Sequence, residues 1–153
     1  MYPDAFAQLL AQRWEEAQKA LGLSSGAVSL TWELTDNYPH FHTPRGYGVT
    51  FGPFHKPLRC HLAFATKIVN EPESLQDGII RHELGHVLDM CTVSSALDRW
   101  ARSKGYVLPS PKKAERRADS IAEAIWRSPI RYDSNLVQST TTGVYPRPLS
   151  LPQ

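Results

Sequence analysis

His82, Glu83 and His86 stand in the run "RHELGHVLDM", residues 81 to 90, and theirs is the spacing in this sequence that could do chemistry. On an α-helix, residues four apart leave the same face one turn from each other, so the two imidazoles can share one metal ion. Glu83 lies about 100° round the helix from His82, close enough to hydrogen-bond a water on that metal without itself binding it. This is the placement of a general base. With six histidines in 153 residues, composition alone yields an H-E-x-x-H about one time in a hundred. The bland alternative is three polar residues on a helix surface.

Two histidines do not complete a catalytic zinc site, which has three protein ligands and an open position. Asp89 shares the histidine face, but a metal held by His82 and His86 would lie level with residue 84. Five residues further on is about 7.5 Å along the axis, beyond an aspartate's reach. Thr92 occupies the place of the third histidine in H-E-x-x-H-x-x-G-x-x-H, so that arrangement is absent. The remaining downstream carboxylates are Asp98, Glu115, Asp119, Glu123 and Asp133. Of these, Glu115 and Asp119 form an i, i+4 pair on a predicted helix whose Ala118 and Ala122 would let it pack closely on the His82 helix. Alternatively they are an exposed charged face paired with Lys112 and Arg116.

"HELGH" followed some 30 residues later by "ERRADSIA" resembles the gluzincins, and most of all the small ImmA/IrrE-type peptidases and related minimal gluzincins. The likeness is strong in these two motifs and general over residues 47 to 128. It implies a zincin-like fold and Zn²⁺ as the cofactor, with His82, His86 and Glu115 as ligands, Glu83 as the base and Asp119 as hydrogen-bond partner of a ligand histidine. It also implies endopeptidase activity on a peptide or protein substrate. Arg117 stands where the family's second motif carries another glutamate, and Ile121 where it carries phenylalanine. The strand "HLAFA" takes the place of the family's rim strand, whose free edge would pair with an extended substrate; His61, Ala63 and Ala65 are the substrate-binding candidates. The family steadies its oxyanion with Tyr, His or Arg, for which Tyr132, Arg131 and Tyr106 are candidates. The rival reading is a zincin-like module without catalysis that binds a protein partner, against which Glu83 speaks, because a structural site needs no base.

These residues must be positioned by ordinary elements. Asp4 can cap a helix with Phe6, Leu9, Leu10, Trp14, Ala17 and Leu21 on one face and Gly22 as its stop. Residues 27 to 35 alternate with Val28, Leu30, Trp32 and Leu34 on one side; 47–54 and 58–66 read as two further strands, with 36–46 a loop. Three strands in succession predict a small, mostly antiparallel sheet. Ser74 is the expected cap of the His82 helix, which runs to about Cys91 with Ile80, Leu84, Leu88 and Cys91 as its core stripe. Ser94 or Ser95 opens a short helix closed by Gly105. Ser110 and Pro111 are expected to start the helix of Glu115, which stops before Pro129. The expectation is an α+β domain over residues 1–128 and a Pro/Ser/Thr-rich tail over 129–153.

The composition fits one soluble globular domain. Lys and Arg total 17 against 15 Asp and Glu, a balance that gives no electrostatic case for nucleic acid or an anionic membrane. The basic run Lys112, Lys113, Arg116 and Arg117 reads as a solvated helix face. The first 21 residues lack the apolar core of a signal peptide and no segment is long and apolar enough to span a membrane, so a cytoplasmic monomer is expected, phage- or bacterium-encoded if the resemblance extends to origin. Cys60 and Cys91, without C-x-x-C spacing, read as two buried thiols.

Overall fold

A computed structural model describes residues 3–130 and a strand over 138–142. It is an α+β arrangement of four helices and a small mixed sheet: α1 (Pro3–Leu21), β1 (Ser29–Leu34), β2 (Gly46–Phe54), β3 (Arg59–Phe64), α2 (Glu73–Cys91), α3 (Ser94–Ser103), α4 (Ala114–Trp126) and β4 (Gln138–Thr142), with short 3₁₀ turns at Pro39–His42 and Thr66–Asn70. The faces follow the periodicities. In α1, Phe6, Leu10, Ala17 and Leu21 are buried, and Gly22 ends the helix at φ 68°, a left-handed conformation that glycine adopts without steric cost. Phe6 sets its ring against Trp32 of β1 and Phe64 of β3, at 5.6 and 5.1 Å between centroids. That pair of contacts fixes α1 to the sheet.

The sheet differs from expectation in its neighbours. The order is β1-β3-β2-β4. Only β2 and β3 are antiparallel, whereas β1 pairs with β3, and β4 with β2, in parallel. Alternation fixes which side of a strand is apolar but says nothing of which strand lies beside it, and the long connection between β1 and β2 leaves room for β3 to be inserted between them. Cys60, Leu62 and Phe64 of β3 face the helices, in one core with Ile79, Ile80, Leu84 and Val87 of α2. Cys60 and Cys91 are free, buried thiols with their sulfurs 3.4 Å apart, tying β3 to the end of α2. The thiol of Cys91 is pushed up by its hydrogen bond with Cys60 and by burial.

The opposite face of the sheet carries a smaller cluster of Phe41, Val49, Ala63 and Ala65. Three expected helix starts moved, and Asp4 lies within the first turn of α1 rather than before it. Pro72, not Ser74, is the residue before α2. The hydroxyl of Ser110 accepts from the Lys112 amide and its carbonyl from the Lys113 amide, closing a single turn, so that α4 begins only at Ala114. The side of α2 that carries His82 and His86 is not a surface: residues 78 to 88 are buried all round, because α2 runs between the sheet, α1 and α4.

Candidate metal centre

The helix crossing that makes the site is visible first as a missing side chain. A Cβ on Gly85 would stand 2.3 Å from the carbonyl oxygen of Ala118, so only glycine lets α2 and α4 approach this closely. The contact falls three residues after His82 and one before His86. On the other helix it falls three residues after Glu115 and one before Asp119. Each i, i+4 pair therefore straddles the crossing, and the four side chains meet in one place.

His82 and His86 are 3% and 1% exposed, with their rings perpendicular and 4.7 Å apart between centroids. Their Nε2 atoms face each other at 3.1 Å. The carboxylate of Glu115, half-exposed at the open side, sets one oxygen 2.9 Å from His82 Nε2 and the other 3.1 Å from His86 Nε2. One donor atom from each residue falls within 4.8 Å of the other two, and among the described residues no other group of His, Cys, Asp or Glu is so arranged. On the far side of the His82 ring, Nδ1–H donates to Asp119 Oδ1 at 2.6 Å. This bond fixes the tautomer that leaves Nε2 pointing at His86 and Glu115.

Glu83 is fully buried. One carboxylate oxygen accepts a 2.7 Å hydrogen bond from the hydroxyl of Thr50, and the other has no hydrogen-bond partner while standing 4.0 Å from His82 Nε2. Gly48 makes room, since a Cβ there would lie 3.1 Å from the Glu83 Cγ. A buried carboxylate oxygen left without a donor is costly. Here it points at the shared donor cluster, where a cation or a cation-held water would satisfy it. Two buried imidazoles and a carboxylate are also the donor chemistry of a metal site, and the residues present fit a metal ion. The electrostatics agree. Burial disfavours the His82 imidazolium, but the hydrogen bonds to Asp119 and Glu115 and the charge of Glu83 outweigh it and hold the ring up to about 10. Burial likewise raises Glu115, yet its bonds to the two histidines bring it well below the usual carboxylate range. The pocket is built to hold positive charge.

Arg117 overturns its reading as part of a solvated face, for its side chain is entirely buried. Its Nε donates to Asp89 Oδ1, and its Nη1 to both Asp98 Oδ1 and the carbonyl of Pro109, each at 2.8 Å. Two residues beyond Glu115, it leaves α4 on nearly the opposite side of the helix, about 200° round. It thereby sets the rotation of α4 about its own axis, and Asp89, which shares the histidine side of α2 in sequence, is spent on this pair rather than near the metal cluster. Arg116 alone of the two stays exposed.

The other expected residues lie elsewhere. β3 is an inner strand with both edges taken, so the expectation of a free rim edge there is corrected. His61, Ala63 and Ala65 are on the sheet face turned away from α2; His61 bonds Thr31 and Glu33 across the strand pair. The strand beside Glu83 is β2, through Gly48 and Thr50, which sequence reasoning did not single out. Their only signal is a glycine and a polar threonine at alternating positions in an otherwise apolar strand. Tyr106 lies under the guanidinium of Arg127, 5.9 Å from its ring centroid, and Arg127 follows the last residue of α4, about 18 Å along the axis from Glu115. The structure does not bring Tyr106 to the cluster, while Arg131 and Tyr132 fall outside the described residues. No helix among those described is long and apolar enough to cross a membrane. No protein-family profile, curated protein or solved structure matches the chain.

Proposed function

We propose that the protein is a zinc-dependent endopeptidase of zincin-like architecture, similar in its site to the small gluzincins. The observation that carries the reading is the buried, unpartnered Glu83 oxygen facing the His82–His86–Glu115 donors. Donor atoms 2.0 to 2.2 Å from a tetrahedral zinc sit about 3.3 to 3.6 Å apart; the two Nε2 atoms here are 3.1 Å apart, and one donor atom from each of the three residues lies within 4.8 Å of the others. A nitrogen, nitrogen, carboxylate set is also the catalytic type rather than the closed structural one. Bound there, zinc supplies Lewis acidity, which makes a water nucleophilic near neutral pH and polarises a carbonyl.

The chain's own residues do the rest. His82 and His86 present Nε2, the first held in that tautomer by Asp119. Glu83, anchored through one oxygen by Thr50, offers the other as the general base that takes a proton from the water and returns it to the leaving amine. Glu115 closes the ligand set from the solvent side. A non-catalytic protein-binding module would have no use for a base held in this way. The test is paired. Glu83→Gln is expected to bind zinc stoichiometrically and to lose hydrolysis of an unfolded polypeptide by about 10²- to 10⁴-fold, while His86→Ala loses the zinc. Undiminished cleavage by the zinc-loaded Glu83→Gln protein would sink the mechanism. Zinc content below half an equivalent in protein purified without chelator, unchanged by His86→Ala, would sink the metal.

A further inference from the structure

The sheet has one edge beside the metal cluster, and the chain itself lies on it. β2 is the strand under Glu83, and its outer edge pairs with β4, Gly48 opposite Ser139, Val49 opposite Thr140 and Thr50 opposite Thr141. β4 also approaches α4, the helix of Glu115 and Asp119, so this segment runs between the two elements that flank the cluster. The backbone directions follow from the ladder. Tyr47 turns its carbonyl to Ala65, the residue that follows β3, and successive residues of a strand point their amides to opposite neighbours. Gly48 and Thr50, the two residues in contact with Glu83, therefore aim their N–H and C=O groups outward at β4. Thr140, opposite Val49, is the β4 residue whose own N–H and C=O turn back between them.

We propose that β4 is an intramolecular occupant of the polypeptide-docking edge of this site, a strap that must leave before an extended substrate can pair with β2 over Glu83. An open strand edge is a template for an extended chain, and here the groups that would receive one are taken by residues 138 to 142. The occupant is also displaceable. "QSTTT" has threonines suited to a strand but is only 5 residues long, and short pairings of this kind are marginal in water. Its attachment to the same chain raises its effective concentration at the edge, which offsets that weakness while the tail is intact. The inference rests on the peptidase reading and adds restraint of the same site.

Two full-length variants test it, both zinc-loaded. Thr140→Pro removes the N–H aimed at β2. In the second, a recognition sequence for a site-specific protease is introduced between residues 132 and 136, so that the tail is severed after the protein has folded. Amide hydrogen exchange at Gly48 and Thr50 and hydrolysis of an unfolded polypeptide are measured together, and each is expected to rise about tenfold or more in both variants, as a lost local opening cost would give. Exchange at Gly48 and Thr50 that is unchanged after severing overturns the strap. So does faster exchange with unchanged hydrolysis in a protein that does cleave, an outcome that leaves the peptidase reading standing. Faster exchange in a chain that cleaves nothing, intact or severed, overturns both.

Discussion

Two charged clusters sit on the same pair of helices, one on each side of α4, and they are built on opposite plans. Around Arg117, a buried guanidinium meets Asp89, Asp98 and the Pro109 carbonyl, and positive and negative groups close on each other. Around His82, three carboxylates surround two imidazoles, two ring nitrogens face one another at 3.1 Å and a buried carboxylate oxygen has no hydrogen-bond partner. The first cluster is complete as protein. The second becomes complete only with a cation, a proton in the metal-free chain or a metal ion in the loaded one. Burial of charge therefore does not distinguish structure from chemistry here; the balance of donors and acceptors does.

That contrast can be broken experimentally. The largest effect is expected from Arg117→Leu, which leaves Asp89 and Asp98 without their cation; removing one partner of a buried pair costs about 3 to 5 kcal/mol, read as a lower denaturant midpoint with or without zinc. An equal stability in the variant would show that the Arg117 cluster is not what sets α4 in place. Gly85→Ala tests the crossing itself. Forcing a Cβ against the Ala118 carbonyl should cost about 1 to 3 kcal/mol and weaken zinc binding as well, because both ligand pairs move apart together.

Asp119→Asn should act on the other side of the comparison, weakening zinc affinity about 10- to 100-fold and shifting the metal-free unfolding midpoint less than Arg117→Leu does. Competition with a chelator of known affinity measures the first and denaturant titration the second. The smallest expected effect is in protons. His82 in the metal-free chain is held up to about 10 and so carries a proton at pH 7 that must leave when metal binds. Calorimetry in buffers of different ionisation enthalpy should then find about one proton released per zinc, with affinity falling as pH is lowered. Zinc uptake without proton release would show that His82 is already neutral.

What the sequence shows of all this is whatever helical spacing alone can carry. His82 with His86, and Glu115 with Asp119, are pairs within single helices, so their shared faces are readable without a fold. Arg117 is not, because it sits in a run with Lys112, Lys113 and Arg116 and what buries it comes from α2, α3 and the segment before α4. Thr50 and Gly48 escape for a similar reason: β2 shows which residues share a side but not that Glu83 lies above them. The strand order was hidden too, since β1 reaches β3 across a long connection. The polar segment of β4 has no alternation to read, and only backbone pairing makes it a strand.

The contact between Gly85 and the Ala118 carbonyl has a consequence for how the protein comes into being. Because one point of touch lies between both histidines and both carboxylates, the histidine pair of α2 gains its third donor only when α4 docks. Docking α4 on α2 and completing the three-donor set are the same event, so a chain in which the two helices are apart would hold a metal ion more weakly. A metal ion bound by the completed set would draw the folding equilibrium toward the docked state as its free concentration rises.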